Sequence, residues 1–294
     1  MSGDTGSGPI SIDALLPVEI ARKAEYSGAQ KVRADTITLL TLAVLAGAFI
    51  ALGAMFATTV LAGTAGTIPY GISRLVAGSV FCLGLILVVV GGAELFTGNT
   101  LMVMAWVARK VRLGEMLRVW GIIYVGNFIG AIGTAALVYL SGQPSNGAGA
   151  VAAVAIRVAA DKAALPFGHA LFLGILCNVL VCLAVWLAIG ARTLGDKVLA
   201  VLFPISAFVA AGFEHSVANM YIIPLGLFLK AGASATLWAQ IGATPADYAG
   251  LTWPAFFTSL VPVTIGNVIG GGVLVGGVYW FIYLRGHAGS ATSS

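Results

Sequence analysis

Two short polar segments interrupt long apolar stretches of the chain and carry its most chemically versatile side chains. They are GGAELFTGNT at 91–100 and GFEHSVANMY at 212–221. Each contains a glutamate, Glu94 or Glu214, and the second also contains His215. A carboxylate accepts hydrogen bonds or binds protons and cations, and an imidazole donates a hydrogen bond or a proton near neutral pH. We therefore expect the functional chemistry in these two segments.

The two segments share a pattern that points to a shared structural role. Asn99 follows Glu94 by five residues, and Asn219 follows Glu214 by the same interval. A helix that breaks leaves N–H and C=O groups without partners, and a carboxylate ahead of the second half-helix can accept from those N–H groups. We therefore expect all four side chains to brace two helix breaks. A proton or cation site is the alternative for the glutamates.

The positions that differ between the segments are the functional candidates. His215 stands where the first segment has Leu95, and Thr97 stands where the second has Val217. An ionisable side chain at bilayer depth is costly and marks a solute pathway by default, so His215 is predicted to line one. Phe208 lies seven residues earlier and shares its helical face. Ordinary core packing is the alternative for this and the other aromatic residues.

The composition identifies the environment of these segments. Apolar residues make up 59% of the 294 positions, charged residues only 9%, and the mean hydropathy is +1.00. Soluble domains carry roughly a quarter charged residues, so the chain is predicted to be an all-α membrane protein. No basic run extends beyond 109–112, which argues against nucleic acid as a partner. Apolar stretches occur at 36–63, 72–108, 115–141, 167–191, 198–230 and 252–284.

The second and fifth stretches are too long for one crossing and too short for two. Each contains one polar segment, so a single span broken in mid-membrane fits better. Non-helical backbone at that depth is tolerated only where it is buried in protein or lines a water-filled cavity. With the N-terminus inside, eleven of the fifteen Lys and Arg residues fall on the cytoplasmic side, as the positive-inside rule expects. Six transmembrane helices with both termini cytoplasmic are therefore predicted.

The chain also repeats itself outside the polar segments. GNFIG at 126–130 matches GNVIG at 266–270. Each half then holds three crossings, and an odd number requires the second half to be inverted relative to the first. Inverted repeats with discontinuous helices 2 and 5 near the midplane are the architecture of solute pathways. The paired glycines are predicted to be helix-packing contacts.

The boundaries follow from the same pattern. Residues 1–34 form a cytoplasmic N-terminal segment, 35–286 the six-helix channel domain and 287–294 a cytoplasmic tail. Within the first, 11–34 reads as an amphipathic helix that lies on the membrane face or against a neighbouring subunit. The 142–165 segment reads as a linker.

Three cysteines, Cys82, Cys177 and Cys182, fall inside apolar spans without metal-ligand spacing. We expect buried thiols, no metal site and no cofactor. Neither GxSxG, HExxH nor a plausible pair of aspartates occurs, so an intramembrane enzyme is disfavoured.

Several long segments have a specific composition. They are FCLGLILVVVGGAELFT, GILCNVLVCLAVW, AAGFEHSVANMYIIPLG and PVTIGNVIGGGVLVGGVYWFIYLR, together with the N-terminal LLPVEIARKAEYSG. These segments resemble the formate–nitrite transporter family, most closely its formate channel branch. The resemblance covers roughly residues 13–286. It implies an aquaporin-like protomer with its own pore, a homopentamer, and a place in the bilayer of the bacterial inner membrane.

The resemblance also assigns pore roles to nine positions. They are the apolar constrictions Phe81, Leu85 and Phe208, a mobile loop at Leu95, Phe96 and Thr97, a central histidine at His215 with Asn267 beside it, and an outer-vestibule lysine at Lys162. His169 has no matching role.

The expected function is bidirectional, pH-dependent movement of formate, with His215 linking permeation to protonation. An apolar slit opposes bare charge, because an isolated buried anion is costly. Lys162 and the N-terminal ends of the two second half-helices would lower that cost. The alternatives are a nitrite or hydrosulfide channel of the same fold and, less favoured, a neutral-solute pore of aquaporin type, since paired Asn-Pro-Ala boxes are absent from the sequence.

Overall fold

The computed structural model describes residues 13–287, and over that range the chain is helical without strands. The helices are α1 Pro17–Lys31, α2 Thr36–Leu61, α3 Tyr70–Gly91, α4 Phe96–Asn99, α5 Val103–Val107, α6 Leu113–Leu140, α7 Ala150–Ala163, α8 Phe167–Gly190, α9 Leu194–Ala210, α10 Ser216–Gly232, α11 Ala235–Ile241, α12 Trp253–Val268 and α13 Val278–Tyr283. A 3₁₀ turn at Thr100–Met102 joins α4 to α5, and a π-helix at Ile269–Gly277 joins α12 to α13. Residues 1–12 and all but the first residue of the expected tail lie outside the described residues.

Five stretches of the described chain are long and apolar enough to cross a membrane. They are α2, α3, α6, α8 and the stretch Pro245–Tyr283, which contains α12 and α13. The number rises to six if α10 and α11, which meet at 119°, are counted as one span. The expected membrane architecture is therefore confirmed, while the count of six crossings stays a prediction.

Both predicted helix breaks are present. Helix α3 ends at Gly91 and α4 begins at Phe96, while α9 ends at Ala210 and α10 begins at Ser216. Gly92 and Gly212 leave the first half-helices with φ of 79° and 74°. This left-handed backbone is one that glycine adopts without a Cβ penalty. The two breaks therefore begin with the same local geometry.

The internal repeat is visible in the packing of the two halves. Helix α2 packs against α6 in the first half, as α8 packs against α12 in the second. A Cβ on Gly130 would collide with the Val44 carbonyl oxygen, and one on Gly270 with that of Ile175. The paired glycines are therefore helix-packing contacts, as the sequence predicts, because they let the two backbones approach closely.

The 142–165 segment is more than a linker, so that interpretation is wrong. It contains α7, a helix of 14 residues whose Ala152, Ile156 and Ala159 are buried. Helix α7 packs against α10, where a Cβ on Gly226 would collide with the Cβ of Ala159. With 14 residues and several charged side chains, α7 lacks the long apolar run that marks a membrane span in the sequence.

The predicted N-terminal helix is present as α1, and it packs on its own subunit. Helix α1 buries Ile20, Ala21 and Ala24 against Trp186 and Leu284 of the same chain. It also contacts α5, α8 and α13. Part of the apolar side of α1 is therefore covered by its own subunit, while Leu16 is 64% exposed. A place on the membrane face or against a neighbouring subunit stays a prediction.

Candidate functional site

The two helix breaks meet at a hydrogen bond between Thr97 and His215. Thr97 Oγ1 lies 3.0 Å from His215 Nε2, and both side chains are buried. His215 is also the N-cap of α10, because its Nδ1 accepts from the Ala218 N–H at 3.1 Å. In the neutral ring the proton therefore sits on Nε2 and is donated to Thr97. The Thr97 hydroxyl keeps its own proton to donate elsewhere.

A small cavity beside this pair, here called the histidine chamber, has a volume of about 80 Å³. Its lining includes Phe81, Phe208, His215, Lys162 and Arg74. The Phe81 and Phe208 rings meet edge to face with centroids 5.5 Å apart, and the Phe208 ring stacks on the imidazole at 6.0 Å. Two apolar rings and one imidazole therefore line a space of small-solute size.

A wider cavity of about 640 Å³, here called the Lys162 cavity, shares part of its lining with the chamber. Lys162, Arg74 and Gly212 belong to both. Arg157 and Asp161 of α7 complete the charged part of its wall.

A third cavity of about 520 Å³, here called the Lys31 cavity, is lined by Lys31, Glu94, Leu85 and Leu95 among others. Leu85 lies one helical turn from Phe81 on α3, yet each lines a different cavity. The chamber thus adjoins the Lys162 cavity on one side. On the other side, the apolar Phe81 and Leu85 side chains of α3 separate it from the Lys31 cavity.

Each break carries a lysine–glutamate–asparagine cluster. Lys162 Nζ lies 2.6 Å from Glu214 Oε1, and Asn219 Nδ2 donates to Glu214 Oε2 at 2.7 Å. In the other cluster, the same distance of 2.6 Å joins Lys31 Nζ to Glu94 Oε2. There Asn99 Nδ2 donates to the same carboxylate oxygen at 2.8 Å, and Asn99 Oδ1 accepts from Lys31 at 2.7 Å. Charge-assisted bonds of this kind are among the strong ones in proteins.

The sequence interpretation of the glutamates is wrong in one respect. The N–H groups that open the second half-helices donate to asparagine side chains: Phe96 N to Asn127 Oδ1 at 2.8 Å and Ser216 N to Asn267 Oδ1 at 2.9 Å. The N–H groups at a helix N-terminus need a hydrogen-bond acceptor. The carboxylates of Glu94 and Glu214 are paired with lysine, so the asparagine oxygens accept instead. Each carboxylate therefore joins a lysine and an asparagine at its break, and the bracing role stays a prediction.

Asn267 lies beside the histidine as expected, because it binds the N–H of the next residue, Ser216. Its Nδ2 donates to the Gly174 and Glu214 carbonyl oxygens at 2.8 and 3.0 Å, so its amide is occupied by backbone. Asn127 does the same in the first half, donating to the Ala43 and Glu94 carbonyl oxygens. Both asparagines therefore hold a broken helix against its neighbours.

Phe96 lies away from the chamber. Its ring packs edge to face on Tyr124 and Trp120 of α6, with centroids 4.9 and 6.0 Å away, and it lines none of the three cavities. His169 is exposed near the start of α8 and lines none of them either.

Sequence reasoning missed Lys31 and Asn178. Asn178 of α8 donates from Nδ2 to the Thr97 carbonyl oxygen at 3.2 Å, Thr100 Oγ1 at 3.1 Å and the Asn267 carbonyl oxygen at 2.6 Å. A polar amide inside the apolar run GILCNVLVC was a signal for it. Lys31 carried no such signal, because a lysine in an amphipathic helix is ordinary.

Within residues 13–287, no group of three or more His, Cys, Asp or Glu side chains is arranged to hold a metal ion. The three cysteines are free and buried. Cys182 Sγ lies 3.3 Å from Thr100 Oγ1, so it packs in the first break.

Comparisons with known proteins identify the family of the chain. The chain is 43% identical over 274 residues to the formate channel FocA of Escherichia coli (strain K12), a match that spans 93% of this chain and 96% of that protein. It is 40% identical over 268 residues to FocA of Haemophilus influenzae, with 91% and 94% covered. A solved pentameric formate channel with formate bound superposes with a TM-score of 0.81 at 40% identity, covering 85% of this chain and 98% of that one. The family model for formate/nitrite transporters matches residues 18–281. The chain therefore belongs to the formate/nitrite transporter family.

Proposed function

We propose that the chain forms a bidirectional channel for small monovalent anions and that formate is its main substrate. The observation that carries this proposal is the histidine chamber, in which the Phe81 and Phe208 rings and the His215 imidazole lie beside the cationic side chains of Lys162 and Arg74. Formate is planar and has few atoms, so it suits a space of about 80 Å³. The similarity to formate channels over nine-tenths of the chain supports the same substrate.

The path has three physical stages. The positively charged side chains that line each wide cavity attract the anion, since charged clefts raise the local concentration of counter-ions. The Phe81–Phe208 pair and the leucines Leu85 and Leu95 then oppose water and bare charge. At the chamber, the cationic side chains of Lys162 and Arg74 on its lining offset part of the lost hydration.

His215 gives the path its pH dependence in this proposal. The ring is the titratable group between the apolar side chains, and the charged residues on the chamber lining are Lys162 and Arg74. A proton added at Nδ1 must displace the Ala218 N–H that this atom accepts. Protonation of His215 and the start of α10 are therefore linked.

The assembly and the location follow from the relatives and the charge distribution. A pentamer is supported by the solved pentameric channel that the chain resembles. The excess of Lys and Arg at one set of loops supports an orientation with both termini cytoplasmic, in the inner membrane of a bacterium. In that orientation the Lys31 cavity faces the cytoplasm and the Lys162 cavity faces outward.

Uptake into proteoliposomes tests the proposal. The purified chain is reconstituted and supplied with formate, nitrite, hydrosulfide or glycerol, with and without a pH gradient. We expect formate uptake well above that of empty vesicles, and a clear response to the gradient. Faster nitrite or hydrosulfide uptake would move the assignment to another substrate of the same fold, while glycerol uptake without any anion uptake would overturn it.

A further inference from the structure

Arg74 occupies the junction between the Lys162 cavity and the histidine chamber. It lies one turn into α3 and lines both spaces. Its guanidinium donates to the Val209 carbonyl oxygen and, at 3.5 Å, to that of Ala210. These carbonyls form the last turn of α9, immediately before the second break.

The end of α9 would by itself repel an anion. Carbonyl groups at a helix C-terminus have no helical partner and together carry about half a negative charge. This end points at the junction through which an anion passes from the wide cavity to the chamber. A cation bound to these carbonyls reverses the sign of the local potential.

The other charges around the Lys162 cavity are largely compensated. Lys162 is paired with Glu214, whose side chain is 3% exposed. Arg157 lies one helical turn from Asp161 on α7, and both line the cavity. Among the ion pairs formed within residues 13–287, none involves Arg74, whose contacts are backbone carbonyls.

We propose that Arg74 is the residue that recruits the permeating anion at this junction, in addition to Lys162. It cancels the negative end of α9 and leaves a net positive charge beside the chamber. This proposal rests on the proposed anion-channel function, and it predicts an effect on the capture of the anion rather than on its passage through the chamber.

The test compares initial uptake rates of the full chain in proteoliposomes, over a range of formate concentrations and at two ionic strengths. Arg74→Gln removes the charge, and Arg74→Lys keeps it. Lys230→Gln is the matched control, because Lys230 also donates to backbone carbonyls, those of Leu251 and Ala249, but lines none of the three cavities.

We expect Arg74→Gln to raise the half-saturating formate concentration about tenfold, since focused charge changes local ion concentration by that order. The maximal rate should change much less, and the dependence on ionic strength should weaken. Arg74→Lys should stay near the wild type. Equal losses of maximal rate in both variants, with unchanged half-saturation, would mean that Arg74 only caps α9 and would overturn the proposal.

Two further outcomes also decide between the proposals. Should Arg74→Gln fail to assemble, Arg74→Lys decides: wild-type half-saturation supports recruitment by charge, and a tenfold rise overturns it. Should the wild type carry nitrite but not formate, the formate assignment fails, and the same comparison in nitrite still tests Arg74. A wild type that carries neither anion overturns both proposals.

Discussion

Thr97 Oγ1 and His215 Nε2, one from each helix break, lie 3.0 Å apart and join the two halves of the chain in a hydrogen bond. Because Nδ1 of the same ring caps α10, both nitrogens of His215 have structural partners. A change at this ring therefore affects the chamber and the start of a helix together.

Replacing His215 by Asn should remove most of the pH response of formate flux. Asparagine is a preferred N-cap residue, so the start of α10 should survive while the titratable ring is lost. The measurement is formate uptake at several pH values between about pH 5 and pH 8, the range in which an unperturbed histidine changes charge. Thr97→Val is a useful comparison, because it removes the partner of Nε2 but keeps the ring. A pH profile unchanged by His215→Asn would contradict the role of the imidazole.

Removing Lys162 should destabilise the protein more than removing Lys31. Lys162→Met leaves Glu214 charged and 3% exposed, and breaking a buried pair costs about 3–5 kcal/mol. Lys31 and Glu94 are 30% and 14% exposed, so Lys31→Met should cost less.

Thermal unfolding of the detergent-solubilised protein measures both effects. The double variant Lys162→Met/Glu214→Gln should recover most of the loss, because no charge is then left buried. Equal melting temperatures for Lys162→Met and the wild type would show that the pair contributes little.

Replacing Glu94 by Gln should reduce folding or expression more than it changes selectivity. The neutral amide no longer pairs with the Lys31 ammonium, and the hydrogen bond from Asn99 weakens. The yield of assembled protein and the formate-to-nitrite flux ratio are the two measurements. Normal assembly with an altered ratio would instead assign Glu94 to the solute path.

Gly130→Ala and Gly270→Ala should each destabilise the protein by about 1–3 kcal/mol or more, because overpacking forces backbones apart. Each new Cβ meets a carbonyl oxygen of the neighbouring helix. Gly133→Ala on the same α6 is the control, since a Cβ there meets nothing within 4 Å. Similar melting temperatures for Gly130→Ala and Gly133→Ala would show that α6 can shift freely.

The breaks and the repeat could be predicted because they leave marks in a single sequence. A polar segment inside an apolar stretch indicates non-helical backbone that is buried in protein or lines a water-filled cavity. The matched Glu94/Glu214 and Gly130/Gly270 positions indicate an internal repeat. The packing of Phe81 against Phe208 was also within reach, since both lie on helices that precede a break.

Contacts between distant segments could not be predicted in the same way. That Asn127 and Asn267 accept from helix N-termini depends on how α6 and α12 pass the breaks. Helix α7 is stabilised by its packing against α10. Its 14 residues are too few to be recognised as a membrane span in the sequence. Lys31 and Arg74 acquire their roles only from partners 63 and 135 residues away.

The place of α1 changes how the ancestry of the chain is understood. Lys31 precedes the first residue of α2 by five positions, and Lys162 precedes the first residue of α8 by five as well. Each half therefore consists of a short docking helix followed by its membrane helices, and the duplicated unit is longer than three crossings. A half-length ancestor with this unit would already have held a complete lysine–glutamate–asparagine cluster. Two such units inserted in opposite directions would present one lysine to each side of the membrane.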